Sequence, residues 1–344
     1  MRDYETVIRL FRKMGSFCLV SHMQPDGDSI GSLLALGEVL VKSGKRVRLF
    51  TPAAVPRKYA FLPGSENISA ESGGWEEDAA AVVLDCSDLE RTGYFKEMIA
   101  RSAVVINIDH HVTNRRFGTV NLVDPQAAAT GEIIFRLIKA MQLELTVSMA
   151  ECLYVAISTD TGSFKFDNTT ADTHRAAASL LESHALNPGM ISQRIFDEYP
   201  LSYLLVLKKV LGTLELFGEK KIAAVTASRD MLEHCGAQVD ELDGIINYTR
   251  NIEGVEIGIM FFIDRGGEVK IGFRSKNIDV SALAGRFGGG GHPRAAGCRL
   301  KGAYGSIKEQ VIREALLAVV SPPDDLAGRR GWKYERMDRS VFMD

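Results

Sequence analysis

A short motif of one acid and two histidines is the part of this chain best suited to chemistry. Asp109, His110 and His111 directly follow the apolar segment 102–108, which is rich in β-branched residues. Such a segment is typical of a buried strand, and open α/β folds bind their ligands at the carboxyl edge of the sheet. Acid and imidazole groups at that edge favour a metal site, although adjacent histidines taken alone would suit a surface loop equally well.

Other apolar segments of the chain also end in acidic or imidazole side chains. These residues are His22, Asp26 and Asp28 after segment 16–20, Asp85 after segment 79–84, and Asp160 after a predicted helix over 146–158. Any one of these acids, taken alone, is better explained as a helix cap or a turn residue. Four separate segments that all deliver such groups to one expected edge favour a shared site.

The donor types indicate which metal such a site would hold. Carboxylates and imidazoles without thiolates suit Mn²⁺ or Mg²⁺ better than a structural zinc ion. Two ions about 3.5 to 4 Å apart, joined by a bridging carboxylate, serve in-line attack of an activated water on phosphorus. The candidate ligands are His22, Asp26, Asp28, Asp85, His110 and Asp160. Of the remaining pair, Asp109 and His111, one would orient a ligand imidazole and the other would act as a cation on the phosphoryl group.

The surrounding pattern predicts alternating strands and helices in the first half of the chain. Strands are predicted over 16–20 and 46–50, with a helix over 29–42 between them and another helix over 4–14 before them. This order favours an α/β fold with a parallel, doubly wound sheet. We expect it to form a first domain over residues 1–195.

The second half of the chain predicts a smaller α/β domain after a helical linker. We assign the linker to residues 196–217, with its helix over 201–216, and the second domain to residues 218–322. Residues 323–344 are charged and lack periodicity, and we interpret them as a C-terminal tail. A metal site on the first domain and a phosphate site on the second would then form a cleft that suits short substrates.

The phosphate site is predicted from a run of four glycines, Gly288–Gly291, followed by His292. The run matches neither the Walker A motif nor the dinucleotide fingerprint, and a glycine run alone would also suit a mobile loop. Between Arg265 and Lys301, however, there are eight Lys or Arg residues and only two acids. Glycine N–H groups beside cations favour phosphate binding, with a solvated charged face as the alternative. The candidate substrate-binding residues are Arg91, Arg274, Lys276, Arg286, Gly289, Gly290, Gly291, His292 and Arg294.

Composition narrows the class of protein. The formal net charge of -3 argues against a protein that coats long nucleic acid. The chain has no long apolar run and no signal-peptide pattern, so we expect a cytoplasmic protein without membrane contact. Its five widely spaced cysteines contain no Cys-x-x-Cys pair, which favours buried thiols over disulfides or zinc.

Four ordered motifs resemble those of the DHH phosphoesterase superfamily. They are Ser-His-Met-Gln-Pro-Asp-Gly-Asp-Ser-Ile-Gly-Ser at 21–32, Leu-Asp-Cys-Ser-Asp at 84–88, Ile-Asp-His-His at 108–111 and Ser-Thr-Asp-Thr-Gly at 158–162. The glycine-histidine run resembles the corresponding motif of the DHH-associated domain. The resemblance covers roughly residues 14–320, and the size and order match most closely the bifunctional oligoribonucleases and 3′-phosphoadenosine-5′-phosphate (pAp) phosphatases of the NrnA type.

The resemblance implies specific roles for the candidate residues. One Mn²⁺ would be held by His22, Asp26 and Asp85, and a second by Asp28, Asp85, His110 and Asp160, with Asp85 bridging. His111 would contact the scissile phosphate. Mg²⁺ or Co²⁺ are possible substitutes for Mn²⁺. The substrates would be nucleotide bisphosphates and short single-stranded RNA of about two to five nucleotides. The protein would form a homodimer.

Two other functions are compatible with the same residues. The first is a different hydrolase of the same chemistry, acting on linear di-adenylate and other breakdown products of cyclic dinucleotides, or on inorganic pyrophosphate. Pyrophosphatases of the superfamily have a different second domain, so we rank that activity low. The second is a nonenzymatic nucleotide-binding module, against which the full set of metal ligands argues.

Overall fold

The computed structural model describes residues 2–76, 78–183 and 186–320 of the chain, which divides into two compact units, Met1–Glu198 and Tyr199–Asp344. The division falls close to the end predicted for the first domain at residue 195. The predicted tail over 323–344 lies outside the described residues. In the described part, no helix is both long and apolar enough to cross a lipid bilayer.

The first unit is built on a six-stranded sheet whose strands are all parallel. Its strands are β1 (Ser16–Val20), β2 (Arg46–Phe50), β3 (Ile68–Ser69), β4 (Ala80–Leu84), β5 (Val105–Asp109) and β6 (Val120–Val123). They lie in the order β3-β2-β1-β4-β5-β6. The prediction of a parallel, doubly wound sheet is therefore confirmed.

Helices cover both faces of this sheet. They are α1 (Arg2–Lys13), α2 (Gly27–Lys42), α3 (Lys96–Arg101), α4 (Thr130–Ala140), α5 (Val147–Asp160), α6 (Ala171–Ser183) and α7 (Pro188–Ser192). Strand β1 shows why both faces are needed, because all five of its residues are buried. Phe17 and Leu19 pack in one apolar cluster and Cys18 and Val20 in another. This continuous burial is what an apolar run in a parallel sheet predicts.

The strand order creates a switch point between β1 and β4. The chain leaves β1 towards β2 on one side and leaves β4 towards β5 on the other, so the loops after these two strands diverge. Such a crevice at the carboxyl edge is where open α/β sheets bind ligands. The segments after β1, β4 and β5 carry His22, Asp85 and His110.

Two glycines of α2 allow this helix to touch α5. A Cβ atom at Gly31 would lie 2.3 Å from the backbone oxygen of Cys152, and one at Gly27 would lie 2.4 Å from the side chain of Thr159. Any larger residue at either position would separate the helices. The close approach brings the start of α2, which carries Asp28, to the end of α5, which carries Asp160.

The second unit contains a six-stranded mixed sheet. Its strands are β7 (Glu215–Phe217), β8 (Ile222–Ser228), β9 (Ile257–Ile263), β10 (Glu268–Ser275), β11 (Gly290–His292) and β12 (Ala295–Lys301), in the order β11-β12-β10-β9-β8-β7. Its helices are α8 (Leu201–Leu211), α9 (Arg229–Cys235), α10 (Ile245–Arg250), α11 (Val280–Gly285) and α12 (Tyr304–Val320). Among the described strands of this second sheet, only β8 and β9 pair in parallel. The expectation of a second α/β domain is confirmed.

The structure differs from the sequence analysis at the linker. The helix predicted over 201–216 ends at Leu211, and residues 215–217 form a strand that pairs with β8. Helix α8 belongs to the second unit, since Tyr203, Val206 and Val210 are buried there with residues of β8 and α9. Periodicity showed that the helix has an apolar face, but it could not show which core that face enters.

Candidate metal centre

The six predicted metal ligands come together at the carboxyl edge of the parallel sheet. Two groups of them have ligand atoms that all lie within 4.8 Å of one another. The first group is His22, Asp26 and Asp85, and the second is Asp28, His110 and Asp160. A third group combines Asp85 with Asp109, His110 and His111. Residues from four separate segments of the chain therefore meet at one place.

In the first group, the imidazole of His22 lies between two carboxylates. Its Nε2 is 3.3 Å from Oδ2 of Asp85 and 3.9 Å from Oδ1 of Asp26. Asp26 also caps α2, because its Oδ1 accepts the N–H of Ser29 and the hydroxyl of Ser29 accepts the N–H of Asp26. The helix-cap interpretation is therefore correct for Asp26, and it coexists with the placement of Asp26 beside His22.

In the second group, Nε2 of His110 faces two acids. It lies 3.4 Å from Oδ2 of Asp160 and 3.9 Å from Oδ2 of Asp28. Its other ring nitrogen, Nδ1, is 3.3 Å from the backbone oxygen of Ala127. This contact fixes the ring so that Nε2 remains directed at the acids.

Asp85 lies between the two groups. Its Oδ2 faces His22 at 3.3 Å, and its Oδ1 faces His110 at 3.6 Å. The residue is buried and has a left-handed backbone with φ of 54°, which is unusual for a residue other than glycine. One carboxylate with an oxygen towards each group has the arrangement that a bridging ligand needs.

The pKa values show that this set of donors is short of positive charge. Burial and the neighbouring carboxylates of Asp85, Asp160 and Asp26 raise the pKa of Asp28 well above its usual value. Burial, with Asp85 and Asp26 nearby, raises the pKa of Asp160 to about 7, although His110 acts to lower it. Burial alone would raise the pKa of Asp85, but the hydrogen bond from His22 and the charges of His110 and His22 lower it.

Divalent cations would relieve this repulsion between carboxylates, because a cation stabilises the ionised form of each acid around it. The donors are oxygen and imidazole nitrogen, without sulfur, as Mn²⁺ and Mg²⁺ prefer. The residues present therefore fit a metal centre.

The N-terminus of α4 holds Asp28, a contact that no motif of the sequence predicts. The backbone N–H groups of Thr130 and Gly131 donate to the two carboxylate oxygens of Asp28 at 2.6 and 2.9 Å. The hydroxyl of Thr130 donates to Oδ1 of Asp85 at 3.2 Å. Backbone donors at a helix start stabilise a carboxylate, but such a contact, made across more than 100 residues of sequence, leaves no local pattern to read.

His111 is held most closely by Asp109, and its Nδ1 also lies 3.7 Å from Oδ1 of Asp85. Its Nδ1 is 2.7 Å from Oδ1 of Asp109, whose other oxygen accepts a hydrogen bond from Asn114 at 2.5 Å. Burial alone would lower the pKa of His111, but this hydrogen bond and the charges of Asp85 and Asp109 raise it to about 9. Of the two roles left open for Asp109, the structure shows an acid that orients an imidazole, and that imidazole is His111.

Arg91 is the predicted substrate-binding residue of the first unit. Its charge acts to lower the pKa of His111, so it lies within electrostatic range of that imidazole. Its backbone oxygen accepts the N–H of Met23 at 2.8 Å, which joins the loop after β1 to the segment after β4.

The glycine run of the second unit is partly a strand. Gly290, Gly291 and His292 form β11, which pairs with β12, so only Gly288 and Gly289 of the glycine run lie outside a strand. A Cβ atom at Gly289 would lie 2.2 Å from the backbone oxygen of Gly297, and one at Gly291 would lie 2.6 Å from that of Ala295. Close approach of β12 thus explains glycine at 289 and 291 without a ligand. At Gly290 the same atom would meet open space.

The predicted basic surface is partly neutralised by acids from elsewhere in the fold. Arg286 forms an ion pair with Glu314, Arg265 with Glu233 and Lys270 with Asp264. Arg274 and Lys276 donate to the backbone oxygens of Phe273 and Ile252. Arg294 is exposed beside His292. The local excess of cations counted along the sequence therefore overstates the positive charge of this surface.

Family models match most of the chain in two parts. The model of the DHH family N-terminal domain matches residues 16–157, and the model of the DHHA1 domain matches residues 220–321. The first match contains five of the six candidate ligands and the second contains the glycine run.

Similar proteins support both matches. The chain is 34% identical over 307 residues to the bifunctional oligoribonuclease and PAP phosphatase NrnA of Thermus thermophilus, covering 87% of this chain and 90% of that protein. It is 28% identical over 300 residues to the protein of the same name from Bacillus subtilis, covering 86% of this chain and 92% of the relative. The crystal structure of an exopolyphosphatase-related protein from Bacteroides fragilis superimposes with a TM-score of 0.86 at 26% identity, covering 92% of this chain and 96% of that one.

Proposed function

Because this chain belongs to the DHH family of phosphoesterases, we propose that it hydrolyses very short RNA to mononucleotides and removes the 3′ phosphate of pAp to give AMP. The relatives named above carry both activities in their names. The RNA substrates would be single-stranded and about two to five nucleotides long, as the resemblance implied.

The position of Asp85 is the observation that carries this proposal. A carboxylate with one oxygen towards His22 and the other towards His110 is suited to bridge two metal ions. We propose two Mn²⁺ ions, one held by His22, Asp26 and Asp85 and the other by Asp28, Asp85, His110 and Asp160, with Mg²⁺ or Co²⁺ as possible substitutes. Bound ions of this kind supply Lewis-acid activation of water and neutralise charge on phosphoryl oxygens.

His111 and Asp109 would act on the phosphate itself. The hydrogen bond at Nδ1 leaves Nε2 of His111 for a phosphate oxygen, and a protonated imidazole would stabilise negative charge as it develops there. Asp109 is fully buried and cannot reach a substrate, so it acts as a positioning residue for His111. Arg91 would add positive charge on the same side.

The second unit would bind a further part of the substrate. We propose that the open face at Gly290, together with His292 and Arg294, contacts a phosphate group, because those two side chains are exposed beside a glycine with room for a ligand. Arg274 and Lys276 would contribute charge, and Arg286 less so because Glu314 already holds it. We also propose that the protein is a cytoplasmic homodimer. All five cysteines are buried and free, which agrees with a reducing compartment.

A panel of substrates tests the proposed function. Release of phosphate and mononucleotides is measured with Mn²⁺ on pAp, on RNAs of two, five and twenty-four nucleotides, on linear di-adenylate and on pyrophosphate. We expect turnover of pAp and of the two shorter RNAs, with kcat/KM lower for the 24-nucleotide RNA. If the protein turns over only pyrophosphate or only linear di-adenylate, the proposed substrates are wrong and that compound takes their place. If it turns over none of these compounds, a nonenzymatic binding module is favoured.

A further inference from the structure

A buried acid behind the metal centre has no role in the function proposed so far. Glu132 lies in the first turn of α4 and its side chain is fully buried. Within the described residues it belongs to none of the groups that could hold a metal ion. A charged group buried to this extent is costly unless it is paired and hydrogen-bonded, so its contacts indicate what it does.

Residues 127–131, which we call the ligand-holding turn, contact three of the proposed metal ligands. The backbone oxygen of Ala127 fixes His110, the N–H groups of Thr130 and Gly131 hold the carboxylate of Asp28, and the hydroxyl of Thr130 reaches Asp85. Most of these contacts come from the backbone. The positions of His110 and Asp28 therefore depend on the path of the chain through this turn.

Glu132 connects this turn to the rest of the first unit. Its Oε2 accepts the N–H of Ala128, in the middle of the turn, at 3.1 Å and the hydroxyl of Thr173, on α6, at 3.0 Å. Its Oε1 pairs with Arg136, which also binds Asp124 just before the turn. The carboxylate thus ties the turn to α6 on one side and to the next turn of α4 on the other.

We propose that Glu132 is a positioning residue that sets the metal affinity of the second ligand group, Asp28, His110 and Asp160. Its hydrogen bond to Ala128 keeps the ligand-holding turn in the path that presents Ala127 to His110 and the α4 N–H groups to Asp28. This inference rests on the proposed two-metal function.

The effect of Glu132 is selective because the turn serves the two groups unequally. It contacts Asp28 and His110 of the second group, whereas in the first group it reaches only Asp85, which the two proposed ions would share. His22 and Asp26 are instead held by the loop after β1 and the cap of α2. A displaced turn would weaken one metal site more than the other.

Calorimetric titration of the metal-free full chain with Mn²⁺ tests this inference. The wild-type protein is expected to bind two equivalents. In Glu132→Ala we expect the affinity for one equivalent to fall by about 10- to 100-fold, the effect typical of residues that support metal ligands. The other equivalent should change by less than about threefold, since the contacts of His22 and Asp26 are kept.

Two further variants separate positioning from general stability. Arg136→Met removes the ion pair of Glu132 but leaves its bond to Ala128, so it should lower the melting temperature without changing either affinity. Glu132→Gln retains an acceptor for the Ala128 N–H and should restore much of the lost affinity. If Glu132→Ala does not fold, Glu132→Met takes its place, because it fills similar space but offers no oxygen to the Ala128 N–H.

The possible results are distinct. Unchanged affinities in Glu132→Ala, equal weakening of both sites, or the same weakening in Arg136→Met would each overturn the role of Glu132. A wild-type protein that binds fewer than two Mn²⁺ would instead contradict the proposed two-metal function.

Discussion

The candidate metal centre of the first unit and the glycine-histidine surface of the second unit both collect charged side chains, but at different depths. In the candidate metal centre, Asp28 and Asp85 are almost completely buried, and each accepts hydrogen bonds from the start of α4. Asp109 is also buried and is hydrogen-bonded by His111 and Asn114. In the second unit, His292 and Arg294 are exposed at the end of a hairpin. The buried acids of the first unit are therefore held in fixed positions, whereas the exposed side chains of the second unit can adjust to a ligand.

This difference indicates how each region would work. A buried set of acids costs free energy unless cations compensate it, so the fold has to hold these residues in place against repulsion. Exposed cations keep their contact with solvent, so they cost little free energy of folding. Solvent also screens their charge, so each one contributes only a small part of the free energy of substrate binding. Substitutions should accordingly act on turnover in the first unit and on substrate affinity in the second.

The largest expected effect is that of Asp85→Ala. Loss of the shared carboxylate should lower kcat by at least about 10³-fold, because both ligand groups depend on it. The KM for pAp should change far less, since the surface of the second unit is intact. Steady-state kinetics at saturating Mn²⁺ measures both constants.

The exposed acid Asp167 offers a matched control in the same unit. Asp167→Ala should retain wild-type kinetics. Substantial turnover by Asp85→Ala would contradict a bridging role for Asp85.

A smaller effect is expected for His111→Ala. Removing a group that stabilises charge on the phosphate should lower kcat by roughly 10²- to 10⁴-fold. Metal content should stay unchanged, because Nδ1 of His111 is bound to Asp109. Elemental analysis beside kinetics makes the distinction, and loss of one metal equivalent would make His111 a ligand.

The smallest effects are expected in the second unit, where two arginines can be compared. Arg294→Ala should raise the KM for pAp by about tenfold, the low end for a lost charge-assisted hydrogen bond. Arg286→Ala should raise it by less than about threefold, because Glu314 already engages that side chain. Arg299→Ala is the control, since Arg299 is exposed and pairs with Glu268. A larger effect at Arg286 than at Arg294 would reverse the assignment of the phosphate-binding arginine.

Much of the first unit follows from the sequence alone. The strand predicted over 16–20 is found as Ser16–Val20, and the helix predicted over 29–42 is found as Gly27–Lys42. Apolar runs and helix periodicity are local properties of the sequence, so these elements can be predicted without knowledge of the tertiary contacts. The acids and histidines at the ends of these segments were predictable for the same reason, since parallel strands place their carboxyl ends at one edge.

The sequence was less informative in the second unit. Pairing of β11 with β12 and the end of α8 at Leu211 depend on partners far along the chain. The ion pair between Arg286 and Glu314 likewise joins residues that no local window contains. A count of charges along the sequence cannot detect such compensation.

The sequence by itself therefore determined which acidic and imidazole side chains gather and the edge of the sheet to which they belong. Only the tertiary structure decided how these side chains are held. It placed the backbone of Thr130 and Gly131 against Asp28, directed Asp109 to His111, and buried Glu132 behind the ligand-holding turn. Backbone N–H and carbonyl groups are common to almost every residue, so their use in a site is set by the path of the chain and leaves no mark in residue type.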